Sequence, residues 1–417
     1  MDNLTATCDK SFLADYSHPV ESKRGISTLI TGIFISLALA PLPALSAGIP
    51  GTKCTKAGNT RVVANLKFTC VKSGKKLIWN KGVKIVSTKT TENSSPVKVE
   101  FVAPTSFADL YERRSSIAYT AWNLTSNTIK NGKSNLKNVT RFIGPNTLEP
   151  KYKTPELAYS LVSKAFTSYI TPSDVYLLQY GKEDISWAED KIKTLVSPIE
   201  YENMNRNENG KLVSSNCNSD CFGAKQVTAF QSDKAFVLQG IARTSNNDPM
   251  GYARWNLGHL DAHEFFHAMQ RANSKTPNRE PVEWPPSFLI EGGASLVQNL
   301  TMSHHSYEEY MKWRGLDAAD LVKSNSKVNA EFLDKFLDLV NNKDYWRGVD
   351  GYFSYNLGSR IMEIFVALKG PGVLLDLQRA TVDKGYEVGF ESIFGISWSE
   401  ASPIISKTIL QMLKERS

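Results

Sequence analysis

The stretch Asp261-Ala262-His263-Glu264-Phe265-Phe266-His267 decides how this chain is read. Leu257, Leu260, Phe265, Phe266 and Met269 make the segment apolar nearly all round, the mark of a buried helix. On a helix, His263 and His267 lie one turn apart on the same face. Two imidazoles so placed can share one zinc ion at about 2.0–2.1 Å each. Glu264 sits beside them and can act as base toward water at an open coordination position. The bland alternative is an amphipathic core helix with two surface histidines. The apolar flanks oppose it, because buried His and Glu side chains need a polar or metal partner to offset desolvation.

A catalytic zinc usually takes three protein ligands, so a third must come from elsewhere. His259 is four residues before His263, but it would stand two turns from His267, about 12 Å along the axis. A better candidate lies in Trp284-Pro285-Pro286-Ser287-Phe288-Leu289-Ile290-Glu291-Gly292-Gly293-Ala294. The two prolines stop a preceding helix, and Ser287 is a plausible N-cap for a second helix with Glu291 in its first turn. Gly292, Gly293 and Ala294 would let this helix approach the first closely. Asp261 reads either as support for a ligand histidine or as a solvated first-turn carboxylate.

These motifs resemble the gluzincin metallopeptidases of the peptidase-MA type. That family usually shows His-Glu-x-x-His-x-x-Gln and then Pro-x-Trp-Leu-x-Glu-Gly-x-Ala. Here the counterparts are His263 to Gln270 and Pro285 to Ala294, with Phe288 where the family has Trp. The resemblance implies one zinc ion per chain held by His263, His267 and Glu291, with Glu264 as general base, and a peptide or protein substrate. The likeness continues weakly through Tyr355-Asn356-Leu357-Gly358, a Lys369-Gly370 turn, the run Leu374, Leu375 and Leu377, and Phe390 to Ile396. It covers roughly residues 175–413 and implies an α+β, zincin-like catalytic domain, with a small sheet, the motif helix and a helical C-terminal lobe. Related enzymes hold the developing oxyanion with a Tyr or His. Tyr355 fits by its place in the motif; Tyr352, His304 and His305 are rivals, the two histidines reading as exposed loop residues.

The N-terminus bears on location. Lys23 and Arg24 precede an apolar run from Ile26 to Ala40, then Pro41, Pro43 and the small residues Ala44 to Ala47. This is the layout of a secretory signal peptide at about residues 22–47. An uncleaved membrane anchor is the alternative, although a spanning helix needs about 20 apolar residues. Cys8 would be lost on cleavage. Cys54, Cys70, Cys217 and Cys221 remain, an even number suited to an oxidising compartment. Proximity suggests Cys54 with Cys70 and Cys217 with Cys221, though four cysteines allow three connectivities. A zinc site from these four is poorly spaced.

Residues 1–47 are thus expected to be an extension and signal peptide, 48–86 a small β-rich module needing a disulfide, and 87–104 a linker. Residues 105–417 are expected to form the metallopeptidase domain, with a helical part over 105–170 and the catalytic core over 171–417. The module resembles a Cys-containing repeat at the start of secreted actinobacterial proteins. Its lysines would favour an anionic cell-envelope polymer, and nucleic-acid binding lacks any motif. Further along, helices are expected over 106–129, 154–169 and 187–196, and strands at 175–178 and 235–238. Gluzincins place an edge strand along the cleft for strand addition, and 235–238 or its neighbour is the candidate. The polar, Asn-rich stretch 203–222 reads as a surface excursion beside the cleft. The net charge of +7 is modest. The competing function is a non-catalytic, secreted surface-binding protein that retains the zincin fold; a membrane-anchored or intramembrane protease is a third reading.

Overall fold

A computed structural model describes residues 51–63, 66–84, 101–217, 220–221, 223–229, 231–243, 256–274, 281–323, 328–338 and 352–415. The expected signal peptide, Cys8 and nearly all of the linker lie outside these residues. The described residues fall into two compact units, one before and one after residue 100. Together they form a mixed α+β protein with two four-stranded sheets, twelve α-helices and two disulfides. Among the described residues, no helix is long and apolar enough to cross a membrane.

The small unit has strands β1 (Thr60–Val63), β2 (Leu66–Ser73), β3 (Lys76–Trp79) and β4 (Val83–Lys84), all three others pairing antiparallel with β2. Gly74, at φ +61°, opens the two-residue loop of the β2–β3 hairpin, where a side chain would be strained. Phe68 and Cys70 are the buried apolar residues described here. A core so small needs a covalent staple, and the Cys54–Cys70 disulfide supplies it.

In the large unit, β5 (Asn138–Ile143), β6 (Asp174–Tyr180), β7 (Ala224–Ala229) and β8 (Lys234–Gly240) lie in the order β5-β6-β8-β7. The first three in that order run parallel, and β7 closes the edge antiparallel to β8. Alternation along the strands splits two cores. Val175, Leu177, Ala235 and Val237 face the larger one, shared with α1 (Ile117–Asn131), α2 (Pro155–Ala165) and α5 (His259–Asn273). Leu178, Tyr180, Phe236 and Leu238 face the smaller one with α3 (Ile185–Leu195) and α4 (Pro198–Asn207). Behind α5 stand α6 (Ser287–Met302), α7 (Tyr307–Lys323), α8 (Ala330–Leu337), α9 (Tyr352–Lys369), α10 (Val373–Lys384), α11 (Tyr386–Phe394) and α12 (Trp398–Glu415).

Several sequence expectations need correction. The first helix begins at Ile117 rather than 106, after turns and a short 3₁₀ segment. Residues 105–170 are not a helical part of their own, since β5 is a strand of the main sheet and α2 packs on α5. Residues 203–222 are not a surface excursion. Met204, Leu212, Val213, Cys217 and Cys221 are buried in the smaller core, and the Cys217–Cys221 disulfide closes there. Pro286, not Ser287, precedes α6, and no side chain caps that helix. Leu257 is 47% exposed and stands ahead of α5.

Helices α6 and α9 cross at close quarters. A methyl group added at Gly292 would come within 2.4 Å of the Gly358 carbonyl carbon, and one at Gly358 within 2.9 Å of the Phe288 oxygen. Backbone cannot swing aside as a flexible side chain does, so both positions require glycine. Gly315 in α7 has open space around it. Gly292→Ala should therefore destabilise the fold by about 1–3 kcal/mol, while Gly315→Ala should stabilise it by up to about 1 kcal/mol. Urea unfolding of the two variants checks the opposite signs.

Candidate metal centre

Helix α5 begins after Gly258, whose φ of +89° suits glycine and whose Cα is covered by the Tyr152 ring. From there the 3.6-residue repeat turns Phe265, Phe266 and Met269 into the core, all fully buried. His263 and Glu264 are 6% and 5% exposed, and the His267 side chain keeps 14%, so the motif is largely withdrawn from water. Helix α6 delivers Glu291 to the same point. The three donors make a nearly equilateral triangle: His263 Nε2 to His267 Nε2 is 3.1 Å, His267 Nε2 to Glu291 Oε2 is 3.3 Å, and His263 Nε2 to Glu291 Oε2 is 3.4 Å. Ligands about 2.0–2.1 Å from a tetrahedral zinc lie about 3.3–3.4 Å from one another. The donor set matches that spacing, and among the described residues it is the group that meets the geometric requirement for a metal. Glu291 Oε2 is buried and has no hydrogen-bond donor.

The second ring nitrogen of His267 is also accounted for. Gln270 donates through Nε2 to the Ile290 carbonyl at 3.1 Å, which turns its Oε1 toward His267 Nδ1 at 2.6 Å. In the neutral imidazole, Nδ1 then carries the proton, which leaves the Nε2 lone pair facing His263 and Glu291. The family pattern's Gln at position 270 was legible in the sequence, but its partner on α6 was not.

Burial raises the Glu264 carboxyl to about 7, with the nearby His267 opposing and Glu291 and Asp261 reinforcing the rise. Desolvation alone would push the Glu291 carboxyl up and the His267 imidazole down. Their mutual attraction outweighs it, holding Glu291 well below the usual carboxylate range and lifting His267 to about 9.

Asp261 is not a solvated carboxylate. It is 3% exposed and accepts from Gln239 Nε2 at 3.0 Å, and burial raises it to about 7. Gln179 donates to Gln239 at 2.6 Å, and Arg141 to Gln179 at 2.7 Å. This polar chain crosses β5, β6 and β8 on the face toward α5 and fixes the helix to the sheet. It lies outside the motifs read from the sequence; Gln179 and Gln239 in otherwise apolar strands were the available signal.

The Tyr355 ring stacks on His263, with centroids 5.8 Å apart and planes at 16°. It is brought there by the Gly292–Gly358 crossing, which sets α9 against α6 one residue from Glu291. His304 and His305 follow the end of α6, so they stand about 20 Å along that helix from Glu291. His304 is half-buried with Nδ1 2.8 Å from the Thr301 carbonyl, and His305 is exposed and pairs with Glu309. The side chain of Tyr352 lies outside the described residues. His259 is buried edge-on against Trp313 and is no part of the donor group.

No protein-family model, curated protein or solved structure matches this chain.

A metal bound at His267 would compete with the proton there. The folded-state rise from 6.5 to about 9 means the His267–Glu291 ion pair adds stability that is complete below pH 6.5 and lost as pH rises through about 9. Metal uptake runs the other way, because a ligand imidazole must be neutral. Chelator-stripped protein should release roughly one proton per zinc bound at neutral pH, with affinity rising as pH approaches 9. Calorimetry in buffers of differing ionisation enthalpy measures that proton count, and His267→Ala should abolish uptake.

Proposed function

We propose that this protein is an exported zinc-dependent metallopeptidase of the gluzincin type, with a zincin-like catalytic unit. The observation that carries the reading is the His263–His267–Glu291 triangle at tetrahedral spacing, with the buried Glu264 carboxyl beside it. The fold is compatible with it. The sheet has an antiparallel edge strand, β7, which packs against α5. A peptide could extend the sheet there by strand addition. The expected strand at 235–238 cannot serve, because β8 is interior, paired on both sides. The two disulfides belong to an oxidising compartment.

Held by the three donors, zinc supplies a Lewis acid that polarises the scissile carbonyl and acidifies water. Everything else is done by the chain. Glu264, held near neutrality by burial, takes a proton from the attacking water and passes it to the leaving amine. Gln270 keeps His267 in the tautomer that presents Nε2. Tyr355, whose ring stacks on His263, is the residue we assign to donate a hydroxyl hydrogen bond to the developing oxyanion. In the small unit, residues 51–84 contain Lys and Arg but no Asp or Glu. This charge favours an anionic envelope polymer as partner.

The test is metal content and hydrolysis of a mixed peptide library, with and without chelator. One zinc per chain with chelator-sensitive cleavage is expected. Glu264→Gln should keep the metal and lose turnover by at least about a thousandfold, and Tyr355→Phe should lower kcat by roughly 10²–10³ with metal content intact. A zinc-loaded chain that cleaves nothing, and whose Glu264→Gln variant is indistinguishable from it, would instead indicate a surface-binding protein.

A further inference from the structure

A second cleft opens about 20 Å along α6 from Glu291, where the C-terminal halves of α1 and α2 meet the turn that follows α6. Its volume is about 380 Å³, within the roughly 300–1,000 Å³ of small-ligand sites. Lys130 and Lys164 both line it, and among the described residues lining it there is no Asp or Glu. Each lysine sits in the last turn of its helix, where the helix dipole favours a cation. Both ammoniums are thus tolerated without a carboxylate, and neither has an ion-pair partner among the described residues. Glu309 of α7, the acid that comes near, pairs with His305 at 2.8 Å.

The rest of the wall offers hydrogen-bonding groups of both kinds. Asn127 Nδ2 donates to Asn123 Oδ1 at 3.3 Å, which leaves the Asn123 amide N–H groups and the Asn127 amide oxygen for a ligand. His304 Nδ1 donates to the Thr301 carbonyl at 2.8 Å, so its Nε2 is an acceptor. Burial, reinforced by the charges of His305 and Lys164 and opposed by the Thr301 bond, keeps that imidazole below its ordinary value and so neutral at pH 7. The Ser126 hydroxyl oxygen is buried and has no hydrogen-bond partner, a costly state that a ligand would relieve. Half-buried Trp122, its Nε1 tied to the Ser303 carbonyl at 3.0 Å, adds a fixed apolar ring.

A bare anion would satisfy the lysines and leave the acceptors, His304 Nε2 and the Asn127 oxygen, without donors. A neutral sugar would do the reverse. We propose that this cleft is a binding site for an anionic sugar, its charge against Lys130 and Lys164 and its hydroxyl groups on Asn123, Asn127, Ser126 and His304. The site stands apart from the metal donors and does not depend on the peptidase reading. The charge has two sources, the carboxylate of a uronic acid or the phosphate of a sugar phosphate, and an ammonium binds either through charge-assisted hydrogen bonds.

Calorimetry on the full chain with glucuronate, glucose 6-phosphate, glucose and inorganic phosphate separates these sources. At least one of the two charged sugars should bind with a dissociation constant at or below about 1 mM, and the tighter of them names the source. Glucose and inorganic phosphate should bind at least about tenfold more weakly than that sugar. Chelator-stripped and zinc-loaded protein should bind alike, because the metal donors take no part. The lysines of the small unit also attract anions, so variants of the cleft decide. Lys164→Gln and Asn127→Asp should each weaken binding about five- to tenfold without lowering the unfolding temperature. Ser126→Ala should weaken binding and leave stability unchanged or raised, since it removes a buried hydroxyl that has no partner. No saturation by either charged sugar at about 10 mM, an affinity unmoved by Lys164→Gln and Asn127→Asp, or inorganic phosphate binding as well as the charged sugars overturns the proposal.

Discussion

Glu264, Glu291 and the imidazoles of His263 and His267 gather where α6 meets α5, largely withdrawn from water, and such groups are costly unless their charges are offset. Glu291 meets that cost through the two histidines at 3.3 and 3.4 Å, and a divalent cation would meet it more fully. For Glu264 the offset is too small, so burial leaves it with a carboxyl near neutrality. The same removal from water raises the proton affinity of Glu264, and under the proposed function it would also strengthen the hold of the three donors on a metal.

The scaffold around this point is built to hold these groups in place. On the sheet side, the chain Arg141, Gln179, Gln239 and Asp261 fastens α5 to three strands. On the other side, α6 is fixed by the Gly292–Gly358 contact and by Phe288, which is fully buried and stacks on Trp398. The indole of Trp398 is fixed in turn, its Nε1 donating to the Leu337 carbonyl. Farther along α9, Glu363 takes a bidentate pair from Arg314 of α7 at 2.7 and 2.8 Å, with Tyr310 donating to the same carboxylate. Breaking such a buried pair by removing one partner is strongly destabilising. This cluster locks α7 to the helix that carries Tyr355.

Much of the site could be read in advance because its signals are local. His263, His267 and Glu264 are related by helix geometry alone, and the prolines at 285 and 286 announce α6, although Glu291 falls just past its first turn rather than in it. The strands β6 and β8 were recognisable as short apolar runs. Strand β7 was not, since its sequence, Ala224-Lys225-Gln226-Val227-Thr228-Ala229, is half polar, as an edge strand allows. The burial of Leu212 and Val213 was hidden by the polar residues around them, which masked two core positions in an Asn-rich stretch.

The sequence by itself determined the donor types, their spacing on α5, and the glycines that permit a close helix crossing. Periodicity states which face of an element turns inward, but not what it meets there. Only the tertiary structure decided that Gly292 meets Gly358, that Tyr355 comes to lie against His263 and that Asp261 is tied to Gln239. Each of these contacts links residues far apart in the chain, and their pairing is fixed by the packing of whole helices and strands rather than by any local preference of the residues involved.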